Sequence, residues 1–451
     1  MPALNAARPP RPANARPANP RLTREELKRL TMPLVLFWAL LLPAGLSLDL
    51  GGVVIPPYRL VAMVLMPFAV VEIVQRRLRM TMPDWLIIGG AAYGFVAAFG
   101  ALGLDRGLQF GGSFVIDSLG TYLVGRAYLV DARRLREFLR RALPGALIIA
   151  GILVFESISH QLLIAPLFPQ RGTMENLYEI RMGLLRARAT FPHSIAAGMF
   201  MMSLLSLYFL SGLPQQTRLL GVLASLAAIF TVSSTAFLAL ALTAFLLSYR
   251  GFFNVVLRMR ERMIYLVYAF IALYVALEAF TGRGAIRTLI QYATLNPRSG
   301  YYRIQIWTYG TASVERNLWF GIGDKAMGRA HWMVMETIDN HWLMLAVRYG
   351  LPTAVLFGLG VIWALWRCGA KNRRLNTLDY GTTIGAMIAL AVSATVAWAG
   401  ALWANNIAWF MMTAGFVVAL SEQVRLNTGT RKIVQRRQAS PLSMANTPRH
   451  A

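Results

Sequence analysis

The chain has 451 residues, of which 56% are hydrophobic and 14% charged, with a formal net charge of +25. That composition is too apolar for an ordinary soluble protein and too evenly apolar for one anchor joined to a domain, which leaves a polytopic membrane protein. The positive charge does not indicate nucleic-acid binding, because most Lys and Arg fall in short clusters between apolar segments, the pattern that orients helices during insertion. A single cysteine, Cys368, excludes an intramolecular disulfide and argues against a thiolate metal cluster.

Residues 1–31 are rich in Pro, Ala, Arg and Asn and hold no apolar run that could act as a cleaved signal, so they are expected to form a disordered, basic cytoplasmic arm. A helix needs about twenty mostly apolar residues to cross the hydrocarbon core. On that criterion twelve candidates lie near 33–49, 58–75, 84–104, 112–130, 143–162, 192–211, 217–232, 234–249, 262–280, 341–366, 380–400 and 403–421. The expected architecture is therefore all-α, with a transmembrane domain over 32–421 and a disordered basic tail over 422–451. The fourth candidate is interrupted by Asp117 and Arg126, and the seventh and eighth are short and joined through residues 232–236.

Charge tests the count. Basic clusters occur in the N-terminal arm, at Arg76, Arg77 and Arg79, from Arg133 to Arg141, from Arg258 to Arg262, from Arg367 to Arg374 and in the tail. Twelve crossings put all of them on one side, with both termini in the cytosol; a missed helix would make them alternate. The other side then receives two long loops, 163–191 and 281–340. Within the second, Tyr302-Arg-Ile-Gln-Ile-Trp-Thr-Tyr-Gly310 reads as a short amphipathic helix with Arg303 and Trp307 on one face. The loop is expected to lie on the membrane surface as a cap over a cavity.

These outer loops hold cations that orientation does not require. The first contains Arg171, Arg181, Arg186 and Arg188; the second contains Arg283, Arg287, Arg298, Arg303, Arg316, Lys325 and Arg329. A guanidinium offers a planar fork of donors that matches phosphate oxygens and stays charged at any working pH, so Arg186, Arg188 and Arg303 are candidate ligands for a diphosphate. The alternative is pairing with Glu175, Glu179, Glu315 and Glu336 or with lipid headgroups. For proton transfer the candidates are Asp339 and His341, at the entry to the tenth helix, with Asn340 between them; Asp339 or Asn340 could instead cap that helix. His193, Asp117 and Arg126 are secondary candidates. The histidines lack metal-ligand spacing, so no bound transition metal is expected. Gly321-Ile-Gly323 reads as a turn and not as a nucleotide loop.

Three stretches, in order, resemble the O-antigen ligase and polysaccharide polymerase family of bacterial envelope glycosyltransferases. Arg188-Ala-Thr-Phe-Pro-His193 looks like the family's entry to a helix; Arg303-Ile-Gln-Ile-Trp307 with Asn317-Leu-Trp-Phe-Gly-Ile-Gly323 is similar to its Arg-x-x-x-Trp and Gly-x-Gly segment; and Asp339-Asn-His-Trp-Leu343 running to Gly350-Leu-Pro352 looks like its His-Asn-x-x-Leu helix. The chain departs by placing Asp339 where the family has an important histidine, with His341 two residues later, and Ser194 where an Asn or Pro-Asn portion is usual. The resemblance implies a membrane-embedded glycosyltransferase in a bacterial inner membrane. Its donor would be an undecaprenyl-diphosphate-linked glycan, and it would use no metal, cofactor or nucleotide sugar. Either another lipid-linked repeat, making the protein an exopolysaccharide or O-antigen polymerase, or a lipid A-core acceptor, making it a ligase, could receive the glycan. The Asp-Asn-His variant and Arg348 favour the polymerase. A transporter or flippase for a lipid-linked or anionic solute is the reading from another class, and few charged or broken helices support it.

Overall fold

The computed structural model describes residues 22–438 apart from 44, 51–52, 169–177, most of 258–296, 334–336 and 372–374. Helix makes up 74% of it. In chain order the helices are α1 (Arg24–Arg29), α2 (Thr31–Leu40), α3 (Pro57–Gln75), α4 (Met82–Leu102), α5 (Leu104–Val115), α6 (Thr121–Tyr128), α7 (Ala132–Ser159), α8 (Ser194–Phe209), α9 (Gln215–Leu226), α10 (Ser234–Gly251), α11 (Pro297–Arg316), α12 (His341–Tyr349), α13 (Leu351–Lys371), α14 (Thr377–Val396) and α15 (Asn405–Gln438). Two short antiparallel pairs complete it: β1 (Leu48–Leu50) with β2 (Val53–Ile55), and β3 (Ile180–Arg181) with β4 (Leu184–Leu185).

Among the described residues six helical segments are long and apolar enough to cross a membrane: Pro57–Gln75, Met82–Leu102, Ala132–Ser159, Ser234–Val256, Leu351–Ala370 and Thr377–Val396. Large side chains on them face outward, among them Val74, Trp85, Phe245, Ile362 and Trp366. An apolar exterior on this scale is foreign to a soluble monomer and natural to one solvated by lipid. The ninth expected span, 262–280, falls largely outside the described residues, as do Arg171, Arg283, Arg287 and residues 1–21.

Aromatic packing fills the centre of the bundle. Phe37, Phe138, Phe200 and Trp409 meet with ring centroids 5.4–6.4 Å apart, and the Trp409 indole donates to Ser203 Oγ at 2.7 Å, so its one polar atom is satisfied inside the apolar core. Helices α6 and α15 press backbone to backbone. A Cβ on Gly125 would strike the Met412 carbonyl and one on Gly415 the Tyr122 carbonyl. Small residues at a crossing allow this close approach where no hydrophobic drive separates helix from lipid.

The arginine clusters gather at one end. Arg29 and Arg76 share Glu72, Arg134 reaches Glu26 at 3.0 Å, Arg136 reaches Asp379 at 2.8 Å, Arg367 pairs with Glu422, and Arg250 lies 5.7 Å from the Tyr380 ring centre. These contacts join α1, α3, α7, α10, α13, α14 and α15 at what we call the basic end. Two expectations of disorder change there. Within the 1–31 arm, Thr23 and Glu26 form a reciprocal capping box that starts α1. At the other terminus α15 continues to Gln438, past the expected boundary at 421, because nothing between them breaks a helix: the stretch has no proline and only one glycine.

Two further differences concern the expected fourth span and the outer loop. The expected fourth span is two helices, α5 and α6, joined by a π-turn over Ile116–Gly120 that carries Asp117. The short amphipathic helix expected over 302–310 is the middle of the twenty-residue α11. The segment after it docks on α12: Ile322 N–H donates to Val347 O at 2.8 Å, Gly323 N–H to Arg348 O at 3.0 Å and Leu351 N–H to Leu318 O at 2.8 Å. Gly321 and Gly323 take positive φ of 66° and 64°, so the segment is the turn its sequence suggested. Gly350, at φ 83°, is required twice, since a Cβ there would also collide with the Trp319 carbonyl.

Candidate functional site

The site lies at the end of the bundle away from the basic clusters, where α8, α11 and α12 begin or end close together. A small hairpin opens it. Met182 and Gly183 form its two-residue turn with φ of 53° and 76°, the mirror-image geometry that matches strand twist. The His160 ring contacts Gly183 O at 3.0 Å and fixes the hairpin to the end of α7. Arg181 on β3 and Arg186 just after β4 then share the Glu179 carboxylate.

Below the hairpin, Glu156 on α7 is fully buried and accepts three backbone N–H groups: Leu163 at 3.0 Å on one oxygen, Arg188 at 3.0 Å and Ala189 at 2.8 Å on the other. Ala189 sits in the left-handed region at φ 49°. Holding a non-glycine residue there costs about 1–3 kcal/mol, so the carboxylate over-determines a strained turn and sets the direction of Arg188. The next turn brings His193, whose Nδ1 accepts the Ile195 N–H at 3.1 Å and caps α8. A ring nitrogen that accepts carries no proton, so His193 is neutral with its Nε2–H available to donate.

Arg303 approaches from α11. It is close enough to Asp339 for attraction and to Arg181 and Arg186 for repulsion. Burial first, then the neighbouring cations, lower the pKa values of Arg186 and Arg303 from the ordinary arginine value, with Glu179 and Asp339 opposing. Burial also lowers that of Arg188, against the pull of Glu156. Burial would raise the Glu179 carboxyl, but the Arg186 and Arg181 guanidiniums hold it below the usual range. Arg186 Nε, Arg188 Nε and a terminal nitrogen of Arg303 are buried and have no hydrogen-bond partner among the described residues. Buried guanidinium donors left open, two of them on the mutually repelling Arg186 and Arg303, are a site short of negative charge.

The candidates around the tenth-helix entry separate. Asn340 is the helix cap, accepting Leu343 N–H at 3.0 Å. Asp339 is thereby released from capping and lies near Arg303. His341 is 1% exposed, donates its backbone N–H to Ala397 O at 2.8 Å and packs against Phe410 and Trp342 with centroids 6.5 and 5.8 Å away. Its Nδ1 has no partner among the described residues. Trp307, one turn after Arg303, packs against Trp398 in a tilted arrangement with ring centroids 6.1 Å apart, which ties α11 to the same Ala397 turn. A void bordered by Met199, Ser203, Asn406, Trp409 and Phe410, the last a ring neighbour of His341, has a volume of about 10 Å³, room for one water and not for a substrate.

Two sequence candidates lie elsewhere. Arg126 is 2% exposed in the basic half of the bundle, bound to Asp84 at 2.9 Å and to Arg79 O at 2.8 Å, and Asp84 also accepts from Tyr122 and from Thr81. Asp117 is held by two nitrogens of Arg59 at 2.9 and 2.6 Å and by Tyr58 at 3.2 Å. Both are compensated charges inside the bundle, as intramembrane charge demands, and neither joins the arginine group. Glu156, in contrast, was not singled out by sequence: a lone carboxylate at the end of an apolar helix carries no local signal of the loop it holds.

No family model and no curated protein matches the chain.

Proposed function

We propose that this protein is a twelve-span enzyme of a bacterial inner membrane that polymerises undecaprenyl-diphosphate-linked oligosaccharide repeats on the periplasmic side, its basic end and both termini facing the cytosol. The observation that carries the reading is the set of like-charged guanidiniums, Arg186, Arg188 and Arg303, each with a buried open donor nitrogen, at the end opposite the orienting clusters. Those donors suit the oxygens of a diphosphate. The described helices are compatible with the reading: α10 ends at the basic end beside Tyr380, while α11 lies at the other.

In the reaction an acceptor sugar hydroxyl attacks the anomeric carbon of the donor, the bond from that carbon to the diphosphate oxygen breaks, and configuration inverts. Charge grows on the departing diphosphate, and the three arginines with His193 Nε2–H meet it; fixed donors of this kind stabilise the transition state more than the ground state. Asp339, within electrostatic reach of Arg303, receives the hydroxyl proton, and His341 with its open Nδ1 supports the acceptor from the α12 side. No nucleotide sugar enters.

Purified protein in vesicles, given a lipid-diphosphate-linked repeat, should extend it. Arg186→Gln and Arg303→Gln should each lower the rate by about 100- to 1,000-fold, the loss typical of one removed transition-state donor. Transfer that survives both together would defeat the reading. A gel of surface polysaccharide separates the neighbouring activities: deletion that leaves single repeats on core marks a polymerase, while deletion that removes all attachment and accumulates lipid-linked polymer marks a ligase. Orientation has a direct probe, because Cys368 is buried and Arg316 is exposed. Arg316→Cys should react with a membrane-impermeant maleimide in intact spheroplasts.

A further inference from the structure

At the basic end a crevice of about 590 Å³ opens between α1, α7, the turn before α9 and the start of α14. Its volume falls within the roughly 300–1,000 Å³ of ordinary ligand sites. Arg133, Arg136, Arg140 and Arg141 line it with the single carboxylate of Glu137, and Leu22, Leu27, Leu213 and Leu378 supply an apolar wall. Glu137 is shared, accepting from Arg140 at 2.7 and 2.9 Å and from Arg141 at 2.7 Å. Arg136 is more than nine-tenths buried, and while one of its terminal nitrogens meets Asp379 at 2.8 Å and Thr382 at 3.1 Å, the other has no hydrogen-bond partner among the described residues. A basic crevice with an open guanidinium donor on a buried side chain calls for an anion. None of these groups takes part in the proposed reaction.

The surface beside the crevice identifies the anion's chemistry. Arg140 and Arg141 occupy the first turns of α7 with side chains 56% and 37% exposed. One and two heptads further along the same face, Ile148 and Phe155 are 55% and 47% exposed, and the exposed Pro144 and Gly151 each precede one of them on the helix. Seven residues is nearly two full turns, so Arg141, Ile148 and Phe155 form one stripe that begins cationic and becomes apolar. That is the order in which a phospholipid presents itself to a membrane helix, phosphate at the interface and acyl chains below. A soluble phosphate would use the arginines and leave the stripe unexplained. We propose that this crevice binds an anionic phospholipid, its headgroup phosphate held by Arg136, Arg140 and Arg141 and its acyl chains lying along Ile148 and Phe155. The inference rests on the membrane placement of α7 and on nothing at the opposite end.

Native mass spectrometry of the full chain, stripped of lipid and titrated with phosphatidylglycerol or phosphatidylcholine of identical chains, tests it. Phosphatidylglycerol should bind the more tightly. Arg140→Gln with Arg141→Gln should weaken it about thirtyfold, since each interfacial cation contributes about fivefold. Arg140→Lys with Arg141→Lys should restore most of the affinity, which separates lost charge from a disturbed fold. Equal binding of the two lipids, or an unchanged affinity in the glutamine pair, would overturn the proposal. So would full displacement of the lipid by glycerol phosphate at the same concentration, which would make the crevice a site for a free anion.

Discussion

The two ends of the bundle use the same residue type in opposite ways. At the basic end arginines find carboxylates: Arg29 and Arg76 at Glu72, Arg126 at Asp84, Arg134 at Glu26, Arg136 at Asp379 and Arg367 at Glu422. At the far end Arg181 and Arg186 divide one carboxylate, and Arg188 and Arg303 have no ion pair among the described residues. Pairing consumes a cation's field, whereas crowding leaves it to act on something else. The paired end reads as architecture and the crowded end as a place for a ligand, with the α7 crevice as a basic-end space lined by a buried guanidinium that keeps an open donor.

The comparison breaks most sharply through stability. Asp84→Ala strips the buried Arg126 of its carboxylate and should cost about 3–5 kcal/mol. The far end should behave in the reverse sense. Arg303→Gln removes repulsion with Arg181 and Arg186, so the protein should unfold at the same or a higher temperature while losing transfer. A thermal unfolding series in detergent reads both, and an Arg303→Gln protein destabilised as much as Asp84→Ala would erase the distinction. Glu156→Ala belongs between them: three backbone donors lose their acceptor, at a cost on the order of 3 kcal/mol, concentrated in the Arg188 loop.

A ligand sharpens the same contrast. Inorganic pyrophosphate should raise the melting temperature of the wild type, because anything that binds only the folded state stabilises it, by about 2.7 kcal/mol at a hundredfold excess over its dissociation constant. The gain should vanish in Arg186→Gln combined with Arg303→Gln and persist in Asp131→Asn, which alters a basic-end carboxylate 3.8 Å from Arg133 and 3.6 Å from Arg134. Stabilisation of equal size in both variants would place the anion elsewhere.

Acidity gives a smaller effect. Glu179 is held below the usual carboxylate range by Arg186 and Arg181 against its own burial. A depressed folded-state pKa contributes stability that is present above the unfolded value and lost as pH falls through the folded one. Between pH 7 and 5 the melting temperature should therefore be insensitive to Glu179, and below about pH 4.5 it should fall more in the wild type than in Glu179→Gln. Parallel acid limbs in the two proteins would show that the Glu179 pairing does not carry this stability.

What could be read in the sequence was what is local. The alternation of apolar runs with arginine clusters anticipated a helical protein whose cations segregate to its ends, and Arg186, Arg188, Arg303 and Asp339 stood out as charges in loops that orientation did not need. The Asp84–Arg126 and Arg136–Asp379 pairs join residues 42 and 243 positions apart. Such partners have no sequence spacing to betray them, and Arg126 alone looked like a site candidate. Thr23 and Glu26 did carry a local capping signal, outweighed in a reading by composition because the proline-rich stretch before them dominates the arm. The helical run from 422 to 438 has the opposite cause: polar residues without a breaker can stay helical on a helix already nucleated by apolar packing.

The smallest test concerns neighbours with opposite roles. Asn340 caps α12 through one hydrogen bond, so Asn340→Ala should lower stability by about 1 kcal/mol and change the rate of glycan transfer little. Asp339 makes no cap. Asp339→Asn keeps its size, adds donors and removes both the proposed proton acceptor and the attraction for Arg303, so it should leave the melting temperature nearly unchanged and reduce transfer by about 100-fold or more. The pair is informative because adjacent residues share every effect of helix placement; only chemistry distinguishes them. If Asn340→Ala costs the activity and Asp339→Asn spares it, the proton must pass to the α12 side, and His341, with its buried and unpartnered Nδ1, becomes the base.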